Sequence, residues 1–287
     1  MNYIKLIGGL GNQLFQFAYA YNLHKKGKSV KLDISEFTHY KLHKLSIQNF
    51  KINLQFAKWE DVKKFYIFNN IFITYHIKSF SKKLYIILNY VFNKSLIKYE
   101  TSKFSNLKNL NCLHDGFWQG ERFLTQNRKE LIKQIQIKKT KLKHKKILNE
   151  ISQRKNSIAI HIRIYSKFQN EHKYHGNISS NYINRAIKKM ESNVANPFYF
   201  VFSNSGDWVS KNLKIKGTNF KIITGFKDYE DLISISRCKH QIISNSTFGW
   251  WGAWLNQNKY KIVITPKNWF LAKKNPSNLL PKKWTKI

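Results

Sequence analysis

Three short stretches of this chain put glycines, hydroxyls or a guanidinium at the point where a strand gives way to a loop or helix, and each could hold an anion. The first is Gly8-Gly9-Leu10-Gly11-Asn12-Gln13. Glycines there let backbone N–H groups approach a negative group at a helix start, where the peptide dipoles favour it. The spacing is not the dinucleotide fingerprint, because the third glycine falls in the wrong place; a tight turn without a ligand is the competing reading. The second is His161-Ile162-Arg163. Period-two alternation puts His161 and Arg163 on one side of a strand and Ile160 and Ile162 on the other. Arg163 would offer two parallel N–H bonds to a diphosphate, bonds that strengthen as a leaving group gains charge. The bland alternatives are a surface arginine and a hydrogen-bonded structural histidine. The third is Ser244-Asn245-Ser246-Thr247-Phe248-Gly249, with more small polar residues than one helix cap requires and the makings of a phosphate cradle.

Acidic residues are few enough to weigh one by one. No Asp-x-Asp occurs and no cluster offers several carboxylates to Mg²⁺ or Mn²⁺, so neither metal nor cofactor is expected. Asp228 and Asp231 open a helix, where capping and the helix dipole alone would explain them; Asp231 could equally accept from the N1–H and N2–H₂ of guanine. Asp207 reads as a cap. His175, Glu171 and Asp115 are further side chains that could take up a proton. Trp250 and Trp254 share a helical face and read as core. Cys112 and Cys238 show no metal spacing and are expected as reduced thiols.

Charge sets the widest bound. Fifty-one Lys+Arg stand against 15 Asp+Glu, a formal +36, which reflects either lysine-rich residue usage or a polyanionic partner, a nucleic acid or an acidic membrane surface. The lysines are scattered, only six of the basic residues are arginine, and no known binding motif appears, so the nucleic-acid reading is the weaker. Near-surface lysines each add about 1 kcal/mol of attraction to anionic lipid. Met1–Ile7 is too short for a signal-peptide core. The longest apolar region, residues 67–92, is broken by His76, Lys78, Lys82 and Lys83; it cannot span a bilayer but could lie on one. The expected location is cytoplasmic, with peripheral contact with an anionic inner membrane.

These residues need elements to hold them. Tyr3–Ile7 reads as a strand, Leu14–Lys25 as a helix and Ser29–Leu32 as a second strand. Residues 40–150 read as helical and lysine-rich. From residue 157 strands (158–162, 198–202, 220–223, 241–243, 261–264) alternate with helices (181–190, 208–213, 229–236, 247–255), the pattern of a parallel sheet covered on both faces. The expectation is α/β, with one unit over residues 1–150 carrying a helical insert and a Rossmann-like unit over 151–287. The two would face a cleft, with ligands at the carboxyl ends of the strands.

GGLGNQLFQFA at 8–18, HIR at 161–163, His175-Gly176 ahead of SSNYINRAI, FYFVFSNSGDW at 198–208 and EDLISISRCKHQIISNSTFGWWGAWL at 230–255 follow one another in that order. Together they resemble glycosyltransferase family 11, the bacterial α-1,2-fucosyltransferases, over nearly the whole chain. The resemblance implies a GT-B-like fold, a GDP-β-L-fucose donor and inversion in forming an α-1,2 link to a galactose of a cell-surface glycan precursor, with the acceptor on the N-terminal unit. It implies Arg163 on the diphosphate with Ser246 and Thr247 beside it, and His161 and Asp231 near the guanosine. Gly11, Asn12 and Gln13 would face the fucose and acceptor, Asn204 would lie on the donor side, and His175 would join Arg163 in catalysis. Where the family continues with a second basic residue and an aspartate, this chain has Ile164 and Ser166; where many members have paired acids, it has Asn204-Ser205. A relative using another nucleotide sugar, and a basic binding protein without activity, are the other readings.

Overall fold

Period-two alternation in Ser157–Ile162 decides the architecture of the C-terminal half. Ile158, Ile160 and Ile162 point to one face and pack with Tyr182, Ile183, Ala186, Ile187 and Met190, whereas Ala159 points to the other and packs with Ile147, Ile151, Phe200, Phe202 and Ile235. A strand buried on both faces needs helices on both sides. In the computed structural model, which describes residues 1–39, 42–93, 96–99, 112–166, 170–215, 219–271 and 278–287, that is what surrounds it.

The chain forms two compact units, 1–135 and 136–287. The first contains β1 (Asn2–Lys5), α1 (Leu10–Lys25), β2 (Val30–Asp33), α2 (Trp59–Val62), α3 (Ile71–Phe80), α4 (Lys82–Asn93), β3 (Leu96–Tyr99), β4 (Cys112–Asp115) and α5 (Arg128–Gln134). Its strands form a parallel sheet in the order β2-β1-β4-β3, with Ile4 opposite both Leu32 and His114. Tyr3 and Leu113 pack with Val62, Phe65, Tyr66, Ile67 and Tyr85. Residues 40–150, expected as helical, thus also supply two parallel strands.

The second unit contains α6 (Leu142–Gln153), β5 (Ser157–Ile162), α7 (Asn170–His175), α8 (Ser180–Glu191), β6 (Phe198–Ser203), α9 (Gly206–Asn212), β7 (Phe220–Ile223), α10 (Asp228–Arg237), β8 (His240–Ile243), α11 (Thr247–Leu255), β9 (Val263–Thr265) and β10 (Thr285–Lys286). Its six-stranded sheet, β10-β9-β8-β5-β6-β7, is parallel throughout. The boundary lies at 135/136 and not at 150/151. The reason is α6: its Ile147 and Ile151 join the core of the second unit, and His144 Nε2 and Ser234 Oγ of α10 are hydrogen-bonded at 3.0 Å. Burying side chains of this size contributes roughly 1.5–3 kcal/mol each, so α6 follows its apolar partners.

Candidate active site

Strands β5 and β8 are neighbours, with His161 opposite Ile243, so the segments leaving their carboxyl ends emerge side by side. Ser244 joins them. Its N–H donates to the His161 carbonyl at 3.0 Å, its Oγ lies 3.1 Å from His161 Nδ1, and the same Oγ accepts from the Arg163 N–H at 3.1 Å. Burial, and then the nearby Arg163, lowers the His161 pKa to about 3; the imidazole is therefore neutral and acts through hydrogen bonding, not charge. Gly249 makes room for it: a Cβ at that position would lie 2.6 Å from His161 Nδ1.

Ser246 caps α11 by accepting from the Phe248 N–H at 3.3 Å, and half-buried Thr247 is the first helical residue. Asn245 donates to the carbonyls of His175 (2.7 Å) and Trp269 (3.3 Å), while its own Oδ1 is buried without a hydrogen-bond partner.

The Arg163 guanidinium lies 5.2 Å from the centre of the Tyr165 ring. Among the described residues no carboxylate is within ion-pair distance of it. Tyr165 in turn stacks on His175, centroids 5.6 Å apart and 18° between planes, and the Phe270 ring lies 5.0 Å from the same imidazole. Arg163, Tyr165, His175 and Asn245 thus share one corner. Two asparagines hold it: Asn204 Oδ1 accepts from the Ile164 N–H and its Nδ2 donates to the Ile164 carbonyl, both at 2.8 Å, and Asn177 does the same to Tyr165 at 2.7 and 3.0 Å. Asn204, expected on the donor side, clamps the backbone beside Arg163 with both ends of its amide. Ile164 packs onto the core, which explains an apolar residue in that place. Asn177, Tyr165 and Asn245 went unselected in the sequence; isolated asparagines in loops carry no periodic signal, although Asn245 sits inside the serine-rich motif.

Asp231 sits in the first turn of α10, at the same carboxyl edge. Glu230 accepts from the Lys227 N–H at 2.9 Å and Asp228 from the Tyr229 N–H at 2.8 Å, which accounts for two of the three acids there. Asp231 has a buried Oδ1 without a hydrogen-bond partner. Burial first, then the charges of Asp228 and Glu230, push its carboxyl up to about 7.

In the first unit the glycine loop is tight for a steric reason. Gly8 has φ +85°, and a Cβ there would meet Asn12 Nδ2 at 2.8 Å. Helix α1 starts at Leu10, so Gly11 is buried inside its first turn. Asn12 Oδ1 accepts from Gln119 Nε2 at 3.1 Å. Gln13 is corrected: expected to face sugar and acceptor, it is fully buried, donating to the Gly8 and Lys44 carbonyls and accepting from the Ser46 and Ile47 N–H groups. With four bonds made inside the chain it staples the glycine loop to residues 44–47. At the carboxyl edge of this sheet lies a buried ionic group that the sequence did not announce: Lys5 pairs with Glu36, His39 with the same carboxylate, and Lys78 with Asp115, while Asp33 accepts from Tyr66 Oη at 2.8 Å. Burial lowers Lys5 to about 8, with Lys78 adding to the effect and Asp115 and Asp33 opposing it. Asp115 is thus ion-paired, and the Glu171 side chain lies outside the described residues.

Two α/β units of parallel strands, with an arginine and hydroxyls at the strand ends of the second, fit a glycosyltransferase of GT-B-like fold. The chain belongs to glycosyl transferase family 11, whose family model matches residues 1–287. It is 30% identical to the alpha-1,2-colitosyltransferase of Escherichia coli, covering 99% of this chain and 97% of that one. It is 29% identical to the O-antigen biosynthesis glycosyltransferase WbnK of Escherichia coli, covering 99% and 100%. Among solved structures its fold is similar to the NodZ alpha-1,6-fucosyltransferase soaked with GDP-fucose (TM-score 0.52, 11% identity, 88% and 91% covered). It is also similar to a mutant of Arabidopsis thaliana FUT1 in complex with GDP (TM-score 0.50, 11% identity, 98% and 74% covered).

Proposed function

We propose that this glycosyltransferase moves L-fucose from GDP-β-L-fucose to O2 of a galactose, with inversion and without a metal or cofactor, in a cell-surface glycan precursor of the O-antigen or lipopolysaccharide kind. The observation that carries the reading is that the backbone N–H of Arg163 and the imidazole of His161 both meet one hydroxyl, Ser244 Oγ, at the approach to α11. A diphosphate laid there would meet the guanidinium, the Ser246 and Thr247 hydroxyls and the N–H groups of a helix start. Such donors stabilise a departing GDP more than a bound GDP-sugar, which is what raises the rate.

The reaction is a single displacement. The C1–O bond to the diphosphate breaks as the acceptor O2 forms a bond to C1 from the opposite face, through a state with oxocarbenium character. The O2 proton leaves late, so a weak acceptor such as His175 suffices. Asp231 would receive the guanine N1–H and N2–H₂, with neutral His161 nearby; Gly11 and Asn12 of the first unit would lie on the acceptor side. A lipid-linked acceptor, a cytoplasmic location and peripheral contact with the anionic inner membrane belong to the same reading. The formal charge is +36, and among the described residues no helix is long and apolar enough to cross a membrane.

One finding favours a second donor: the relative at 30% identity is named a colitosyltransferase, and colitose is L-fucose without its 3-hydroxyl. GDP release should be assayed with GDP-fucose and GDP-colitose on simple β-galactosides, for the parent chain and for Arg163→Ala. We expect transfer with GDP-fucose and a loss of at least about 10²–10³-fold in kcat for the variant. Turnover with GDP-colitose alone reassigns the donor, and near-parental turnover of Arg163→Ala removes the guanidinium from the mechanism.

A further inference from the structure

Helices α3 and α4 form a hairpin whose inner side is fully accounted for. Thr74 is buried and accepts from the Ile67 N–H at 2.7 Å, Tyr85 Oη donates to the Phe65 carbonyl at 2.9 Å, and Ile71, Ile77 and Leu88 pack on the core of the first unit. The outer side of a helix in water is ordinarily polar. Here it exposes Phe72 (63%), Tyr75 (58%), Phe80 (87%), Ile87 (48%) and Val91 (62%). Leu84, Ile87 and Val91 follow one another at the i, i+3, i+7 spacing of a single helical stripe. Exposed apolar side chains repeated along both helices mark a docking site.

Charge identifies what docks. Residues 71–93 contain Lys78, Lys82 and Lys83 and no Asp or Glu. A second copy of the chain would bring another +36 against this face. An anionic bilayer would accept both the aromatic and aliphatic side chains and the lysines, the combination found on helices that lie in a membrane interface. Ten and twelve residues are too few to cross one.

We propose that the α3–α4 hairpin is the membrane-docking element of this enzyme, inserting its outer apolar side into the interfacial layer of an anionic bilayer. The inference rests on the reading of the acceptor as lipid-linked and gives that reading a place in the fold. The hairpin is tied to the carboxyl edge of the β2-β1-β4-β3 sheet at two points. Lys78 pairs with Asp115 at the end of β4, and the Phe72 and Tyr75 rings stand 5.3 and 6.4 Å from that of His39, whose Nε2 binds Glu36. Docking therefore holds at the bilayer surface the sheet edge where ligands of parallel α/β units bind.

The test uses the full chain with vesicles of phosphatidylcholine alone and of phosphatidylcholine and phosphatidylglycerol in equal parts. The parent should sediment with the second kind and not the first, and added salt should release it. The variant Phe80→Ser/Ile87→Ser/Val91→Ser should lose more than about tenfold in vesicle partition. It should still transfer sugar to a short soluble β-galactoside at the parental rate. Phe80→Asp alone, at the most exposed of these positions, should weaken partition in the same direction. Leu142→Ser/Tyr260→Ser, on exposed apolar residues of the other unit, should leave it unchanged. Equal partition of parent and triple variant overturns the proposal. So does light scattering that shows a dimeric parent and a monomeric triple variant, which would assign the surface to a second copy. Because transfer to the soluble acceptor is read separately, failure of the glycosyltransferase reading shows there and not in the vesicles.

Discussion

Asp231 is the residue whose chemistry the structure sharpens most. Its folded carboxyl titrates near 7 against an ordinary 3.8, so the folded state keeps a proton that the unfolded chain loses between about pH 4 and 7, and stability falls as pH rises through that window. A carboxylate that accepts from guanine must be ionised, so donor binding should have the opposite pH dependence. With intact GDP-fucose, whose diphosphate diester does not titrate in this range, affinity should rise about tenfold between pH 6 and 8. Asp231→Asn should abolish that rise, weaken binding at pH 8 and stabilise the donor-free fold above pH 7. Calorimetric Kd values at several pH values check it; a pH-independent parent removes Asp231 from base recognition. The alternative left open in the sequence, that Asp231 merely opens a helix, loses ground because Glu230 and Asp228 already serve the backbone there.

At the level of the element, α11 shows why the motif GWWGAWL reads as it does. Trp250 and Trp254 are core, as their spacing indicated, and Trp251 is buried with them. The two glycines are notches: Gly249 admits the His161 ring and Gly252 admits Ile235 of α10. An alanine in a helix interior ordinarily gains about 1 kcal/mol over glycine, but at 249 its methyl would overlap the imidazole, and overpacking costs about 1–3 kcal/mol. Gly249→Ala should therefore lower stability in urea denaturation and weaken GDP-fucose binding. Gly206→Ala, where nothing lies within 4 Å, should be neutral or stabilising. Equal behaviour of the two variants would mean that the α11–β5 contact yields freely. The C-terminal α/β alternation was legible because each strand is a short apolar run and each helix has a clear stripe. Strands β3 and β4 escaped notice because lysine-rich sequence surrounds them, and the α6 boundary because His144 and Ile147 declare their partners only through contact. Gln13 was misassigned for a related reason: a glutamine in a glycine loop looks available until its four backbone partners are known.

Taken whole, the molecule carries far more positive charge than its acids can offset, and among the described residues the ion pairs are local. Mutual repulsion among lysines raises the free energy of any compact state. Counter-ions relieve it, because at about 0.1 M salt charges more than about 10 Å apart are largely screened. Thermal stability should accordingly rise by several degrees between low and moderate ionic strength. An anionic surface should act in the same sense as salt, through the polyanion it presents. Scanning calorimetry of the parent in increasing NaCl, and at low salt with and without phosphatidylglycerol vesicles, separates the two contributions. If neither salt nor vesicles move the transition, the lysine excess is energetically silent in the folded state, and the charge reflects residue usage and not a partner. If vesicles stabilise the parent but not the Phe80→Ser/Ile87→Ser/Val91→Ser variant, the charge and the exposed hairpin work together: lysines distributed over the chain draw it to the bilayer, and the apolar side of α3 and α4 fixes how it sits there.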